Sequence, residues 1–62
     1  MYENIEKERR RYGLSVEEMS YLLGIEPERY WEQEWCHQIS AETLRSLSQI
    51  FRCSVDYLLG LE

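Results

Sequence analysis

Ser15-Val16-Glu17-Glu18, then Met19-Ser20-Tyr21-Leu22-Leu23, then Gly24-Ile25-Glu26-Pro27 read in order as the start, body and end of one helix and the opening of another. Ser15 with Glu18 three positions on is a capping box. The serine hydroxyl accepts from the Glu18 amide, and the Glu18 carboxylate accepts from the Ser15 amide. Met19, Leu22 and Leu23 supply apolar side chains for this second helix. Gly24 stops it, because glycine enters the left-handed turn at a helix end without a Cβ clash. Glu26 sits at or near the next cap. Pro27 suits the first helical position, where its missing N–H costs nothing. Early carboxylates also favour the positive end of the helix dipole. The sequence therefore predicts helix 3 from Pro27 to about Glu34 or Trp35, joined to helix 2 by the tight turn Gly24-Ile25-Glu26.

The flanks continue the pattern. Helix 1 is predicted over about Tyr2 to Tyr12, with Ile5, Arg9 and Tyr12 on one side. Gly13 and Gly60 punctuate as Gly24 does. Ser40 caps helix 4, in which Leu44, Leu47, Ile50 and Phe51 follow the spacing of a buried stripe. A short helix 5 follows Ser54 and holds Val55, Tyr57, Leu58 and Leu59. Five helices and no strand predict a compact all-α fold, one domain over residues 1–62. The expected core is Ile5, Leu14, Met19, Leu23, Ile25, Tyr30, Leu44, Leu47, Ile50, Val55 and Leu58.

Bulk properties exclude several classes. A chain of 62 residues buries only about 60% of its unfolded surface, which leaves no room for a deep substrate cleft. No apolar run nears the roughly 20 residues of a membrane span, so no membrane association is expected. Residues 1–7 are charged and lack the apolar stretch of a secretory signal, so a cytoplasmic location is expected. Cys36 and Cys53 are isolated, and His37 is the lone histidine. A structural zinc site needs about four ligands at set spacings, so free thiols, no metal and no cofactor are expected. No nucleophile–base pair is visible, so the chain does not read as an enzyme.

Several segments together resemble the phage repressor/Cro family of helix-turn-helix domains. They are Gly13-Leu14-Ser15, the run from Glu18 through Ile25, Glu42-Thr43-Leu44, and Ser54-Val55-Asp56-Tyr57-Leu58-Leu59-Gly60. The likeness covers essentially the whole chain and implies a five-helix repressor-like fold, with the helix-turn-helix proper at about 15–35. It implies an ion pair between Arg9 and Glu34, a small residue at Ser20 where helices 2 and 3 cross, and Tyr30 as a core anchor. It also implies double-stranded DNA as partner, with helix 3 in the major groove. Carried over by position, the DNA-facing residues are Val16, Pro27, Glu28, Arg29, Glu32 and His37. The last helix forms a homodimer contact in several relatives, which points to Tyr57, Leu58, Leu59 and Leu61. This chain departs from the family pattern at Val16, where a glutamine is common. It departs again at Trp35-Cys36-His37-Gln38, a loop one residue short and without glycine.

Charge opposes the DNA expectation. The net charge is −5, and residues 25–38 carry Glu26, Glu28, Glu32 and Glu34 against Arg29 alone. DNA affinity comes largely from cations that neutralise phosphates. Carboxylates held near phosphates repel them, and a handful can cancel a specific advantage of about 4–10 kcal/mol. Two functions follow. One is a small transcriptional regulator binding operator DNA through helix 3. The other is a protein-interaction module on the same scaffold, using an acidic helix 3 face with Trp31 and Trp35 to dock a protein partner. Each residue also has a plain reading. Glu28 and Glu32 are then a solvated helix face. Trp35 fills space against helix 4, and Trp31 is read either way. Arg9 is structural, while Arg10 and Arg11 either pair with Glu6 and Glu8 or meet phosphates. Tyr57, Leu58 and Leu61 either close the core or form a protein interface.

Overall fold

The computed structural model describes residues 2–36 and 38–62. It is all-α, with α1 at Glu3–Arg11, α2 at Val16–Leu23, α3 at Pro27–Trp35, α4 at Ala41–Phe51 and α5 at Val55–Leu58. The helices form a globule of 29 × 22 × 17 Å. Helix 1 is one residue shorter at each end than its sequence pattern suggested, because Tyr2 and Tyr12 occupy the cap positions.

Local chemistry sets the helix ends. The Ser15–Glu18 capping box is closed in both directions, at 3.0 and 3.1 Å. Gly24 is left-handed at φ 70°. The Ile25 N–H then donates to the Ser20 carbonyl at 3.1 Å, which ties off the end of α2. Ser40 accepts from the Thr43 amide and Ser54 from the Tyr57 amide, so α4 and α5 start on serine caps.

Ile5, Met19, Tyr30, Leu44, Leu47, Phe51 and Leu58 are buried together, one from each helix except α4, which supplies three. Leu14, Leu23, Ile25, Ile50 and Val55 pack around them and are only partly buried. On α4 the expected core is corrected. Phe51 is in the buried centre, whereas Ile50 is at its margin. On α4 the buried set runs 44, 47, 51, so the stripe turns toward Phe51. The Phe51 ring stacks on Tyr12 at 5.5 Å between centroids, and the Phe51 carbonyl accepts from the Tyr12 hydroxyl at 3.1 Å.

Two polar contacts fasten α5 to α1. Asn4 Nδ2 donates to the Tyr57 carbonyl at 2.6 Å, and Tyr57 Oη donates to the buried Glu8 carboxylate at 2.9 Å. Leu58, read both as core and as a possible dimer contact, is buried in the core at 1% exposure. With α5 only four residues long, closing the core takes its one large inward side chain. Leu59 and Leu61 are exposed.

One strained turn follows α4. Arg52 adopts φ 54° and ψ 48°, a left-handed conformation that costs an L residue and not a glycine. Arg52→Gly is expected to raise stability by about 0.5–1 kcal/mol. Thermal denaturation checks this. A lower Tm would mean that the arginine side chain contributes more than its backbone costs.

A groove at the start of the second and third helices

The amino ends of α2 and α3 approach each other and form an open groove of about 740 Å³. Its apolar lining is Val16, Pro27 and Trp31. Its carboxylates are Glu17, Glu28 and Glu32, and Ser15 and Arg9 complete it. The helical repeat explains the assembly. Glu28, Trp31 and Glu32 lie at i, i+3 and i+4, on one side of α3. Glu17 and Glu28 stand in the first turns of their helices, where a carboxylate is favoured by the exposed amides and the dipole. The same amides would be the natural seat of a phosphate. Here each helix brings its own anionic group to that end.

Of the residues expected to face DNA, the groove brings together Val16, Pro27, Glu28 and Glu32. Arg29 is elsewhere. It lines a separate cleft of about 180 Å³ between α3 and α4, with Leu23, Ile25, Ser40, Glu42 and Thr43 among its neighbours. It is two positions from Pro27 and one from Glu28, offsets of about 200° and 100° around the helix, and it lines this cleft instead of the groove. His37 lies outside the described residues. Arg10 pairs with Glu6 at 2.7 Å and Arg11 with Glu8 at 3.6 Å, both within α1.

Trp31 and Trp35 stack, with centroids 5.1 Å apart and planes 18° from parallel. Both are exposed, at 49% and 43%. Trp35, expected against α4, has Trp31, one turn back, as its ring partner. Stacking covers part of each ring, which lowers the cost of holding two indoles at a surface.

Arg9 lies behind the groove. Its Nη1 donates to the Leu14 carbonyl at 2.8 Å, and its Nε stands 3.9 Å from Glu34 Oε1. Glu34 is 1% exposed, and among the described residues neither of its carboxylate oxygens makes a hydrogen bond. Burial holds its carboxyl above the usual carboxylate range. The Arg9 charge pulls it back, and Glu6 pushes it further up. The neighbouring Tyr30 phenol is likewise raised, first by burial and then by the Glu34 charge.

Sequence reasoning missed two buried polar side chains. Gln33 Oε1 accepts from the Ser40 amide at 3.2 Å, linking α3 to the cap of α4. Glu8 receives the Tyr57 hydroxyl. Gln33 was detectable: Tyr30, Gln33 and Glu34 share the i, i+3, i+4 spacing of the inward face. Glu8 lies at i+3 from Ile5 on α1, but a charged residue there gave no sign of a buried partner. Among the described residues no three His, Cys, Asp or Glu side chains converge to hold a metal, and no helix is long and apolar enough to cross a membrane. Cys36 and Cys53 are free thiols.

Comparison with protein-family models, curated proteins and solved structures finds no match for the chain.

The raised Glu34 carboxyl has a defined consequence for pH. The native state keeps this proton at pH values where the unfolded chain has already released it. The Glu34 contribution to stability therefore falls as pH rises from the usual carboxylate range through the higher native value. Arg9 limits that fall. Arg9→Ala is expected to cost about 2 kcal/mol at neutral pH, or roughly 8–16 °C in Tm. The cost should shrink at about pH 4, where a protonated Glu34 has no charge to lose. Equal losses at both pH values would show that Arg9 acts only by packing and by its bond to Leu14.

Proposed function

We propose that this chain is a protein-interaction domain on a repressor-type helix-turn-helix scaffold, docking a basic partner through the α2–α3 groove. The observation that carries this reading is the charge of the groove. Among the described residues three carboxylates line it, and the one cation there, Arg9, is held by Leu14 and Glu34. A phosphate backbone approaching here meets like charge at both helix ends. The cost of desolvating it has no counter-cation to offset it. The stacked Trp31–Trp35 pair fits a protein surface better, since tryptophan is prominent among the anchors of protein interfaces.

A second reading, an operator-binding transcriptional regulator, is favoured by one observation. The tight turn at Gly24 leaves the outer side of α3 exposed next to the start of α2, the disposition a major-groove reader needs. In that reading Glu28 would accept from a cytosine amino group, the one base contact suited to it.

Titration with mixed-sequence duplex DNA separates the two. The interaction reading expects no binding at about 50 mM salt even at high protein concentration. Binding that is measurable there and falls steeply by about 200 mM would overturn it. The double variant Glu28→Gln/Glu32→Lys gives an independent check. It is expected to acquire weak, sequence-independent DNA affinity, whereas an altered sequence preference would support operator binding.

A further inference from the structure

Resting on the interaction reading, we infer that the groove is a receptor for an arginine side chain presented by a basic segment of a partner protein. Trp31 would contact the guanidinium, and Glu28 and Glu32 would bind its edge.

The groove has the parts that such a side chain needs. An arginine carries an apolar stem, a planar cationic face and a fork of N–H donors. Val16 and Pro27 offer apolar lining for the stem. Trp31 is half exposed in the groove, and an indole is the best aromatic partner for a cation. Glu28 and Glu32 flank it in sequence by three residues and one, and both are exposed with no ion-pair partner among the described residues. Two carboxylates match the donor fork in a way that a single lysine ammonium does not exploit. Trp35, stacked on Trp31, holds that indole in place before any ligand arrives, which reduces the ordering cost of binding.

The charge arrangement also selects the occupant. A phosphate is repelled by Glu17, Glu28 and Glu32. A purely apolar helix would leave those carboxylates desolvated and unpaired. A second copy of the chain is disfavoured by its own net charge of −5, and its Arg10 and Arg11 already pair with Glu6 and Glu8. A basic segment from a different protein satisfies both the rim and the lining.

The test is a titration, by tryptophan fluorescence and by backbone amide NMR shifts, with a capped hexapeptide of alternating arginine and glycine. Its counterpart carries citrulline, which keeps the shape and removes the charge. The arginine peptide is expected to bind, with shifts confined to α2 and α3 around Val16, Glu28 and Trp31. The citrulline peptide should bind about tenfold more weakly or not at all. Glu28→Gln/Glu32→Gln and Trp31→Leu should each weaken binding by about tenfold while circular dichroism and Tm report an intact fold.

Equal affinity for the two peptides would overturn the proposal. So would shifts centred elsewhere, or no binding at about 1 mM peptide. Sedimentation that shows self-association through this face would also overturn it, by naming a second copy as occupant. If the peptide fails and duplex DNA also fails to bind, the arginine receptor falls while the interaction reading stands. If the peptide fails and DNA binds, both fall together.

Discussion

The Arg9 guanidinium donates to the Leu14 carbonyl and faces the buried Glu34 carboxylate across 3.9 Å, so α1, the approach to α2 and the end of α3 meet at one side chain. The rest of the fold depends on this junction because the junction is imperfect. Glu34 is almost fully buried, and among the described residues its oxygens accept no hydrogen bond. A carboxylate in that position is costly, and only the nearby positive charge moderates the cost. The arrangement specifies how three helices meet more than it stabilises them. Leu14 must bring its carbonyl to Arg9, and that fixes where Ser15 caps α2. The α2–α3 turn then sets the direction of α3, whose last turn returns Glu34 to Arg9.

The groove follows from the same geometry. Converging α2 and α3 at their amino ends places the positive ends of two helix dipoles side by side. In a nucleic-acid module such ends are an asset, since they attract phosphate. In this chain Glu17 and Glu28 occupy the first turns and stabilise each helix locally. The price is a face that turns phosphate away. Helix stability and phosphate attraction are thus opposed at the same residues. The cations do not redress the balance: Arg10 and Arg11 are engaged on α1, and Arg29 turns toward α4.

The polar ties outside this junction are long-range in sequence. Asn4 reaches Tyr57, Glu8 receives the Tyr57 hydroxyl, and Tyr12 reaches Phe51. They close the two ends of a short chain on each other. They also account for Tyr57, which the pattern of the last helix offered as a surface residue. Its hydroxyl has an intramolecular partner, and its neighbour Leu58 is inside.

The helices and their limits were legible because their causes are local. A capping box spans three residues, a proline at the first position acts on its own φ, and a left-handed glycine needs no distant partner. Serine caps at 15, 40 and 54 and the glycine at 24 can therefore be read without knowing what packs where. The i, i+3, i+4 pattern likewise announced Leu44 and Leu47 as core, while Tyr30 was implied by the resemblance. The pattern was ambiguous at Ile50 against Phe51, since adjacent positions differ by only about 100° around a helix. Tertiary structure alone decided the rest. Whether Trp35 met α4 or Trp31, whether Arg29 joined Glu28 and Glu32, and whether Leu58 faced in or out each depended on the angle between two helices. So did the burial of Glu8, because its hydrogen-bond partner, Tyr57, is 49 residues away. Local sequence chemistry determined where each helix begins and ends and how acidic α3 is. The packing of helix on helix determined that this acid lines a groove with Trp31 and that, among the described residues, no free cation shares it.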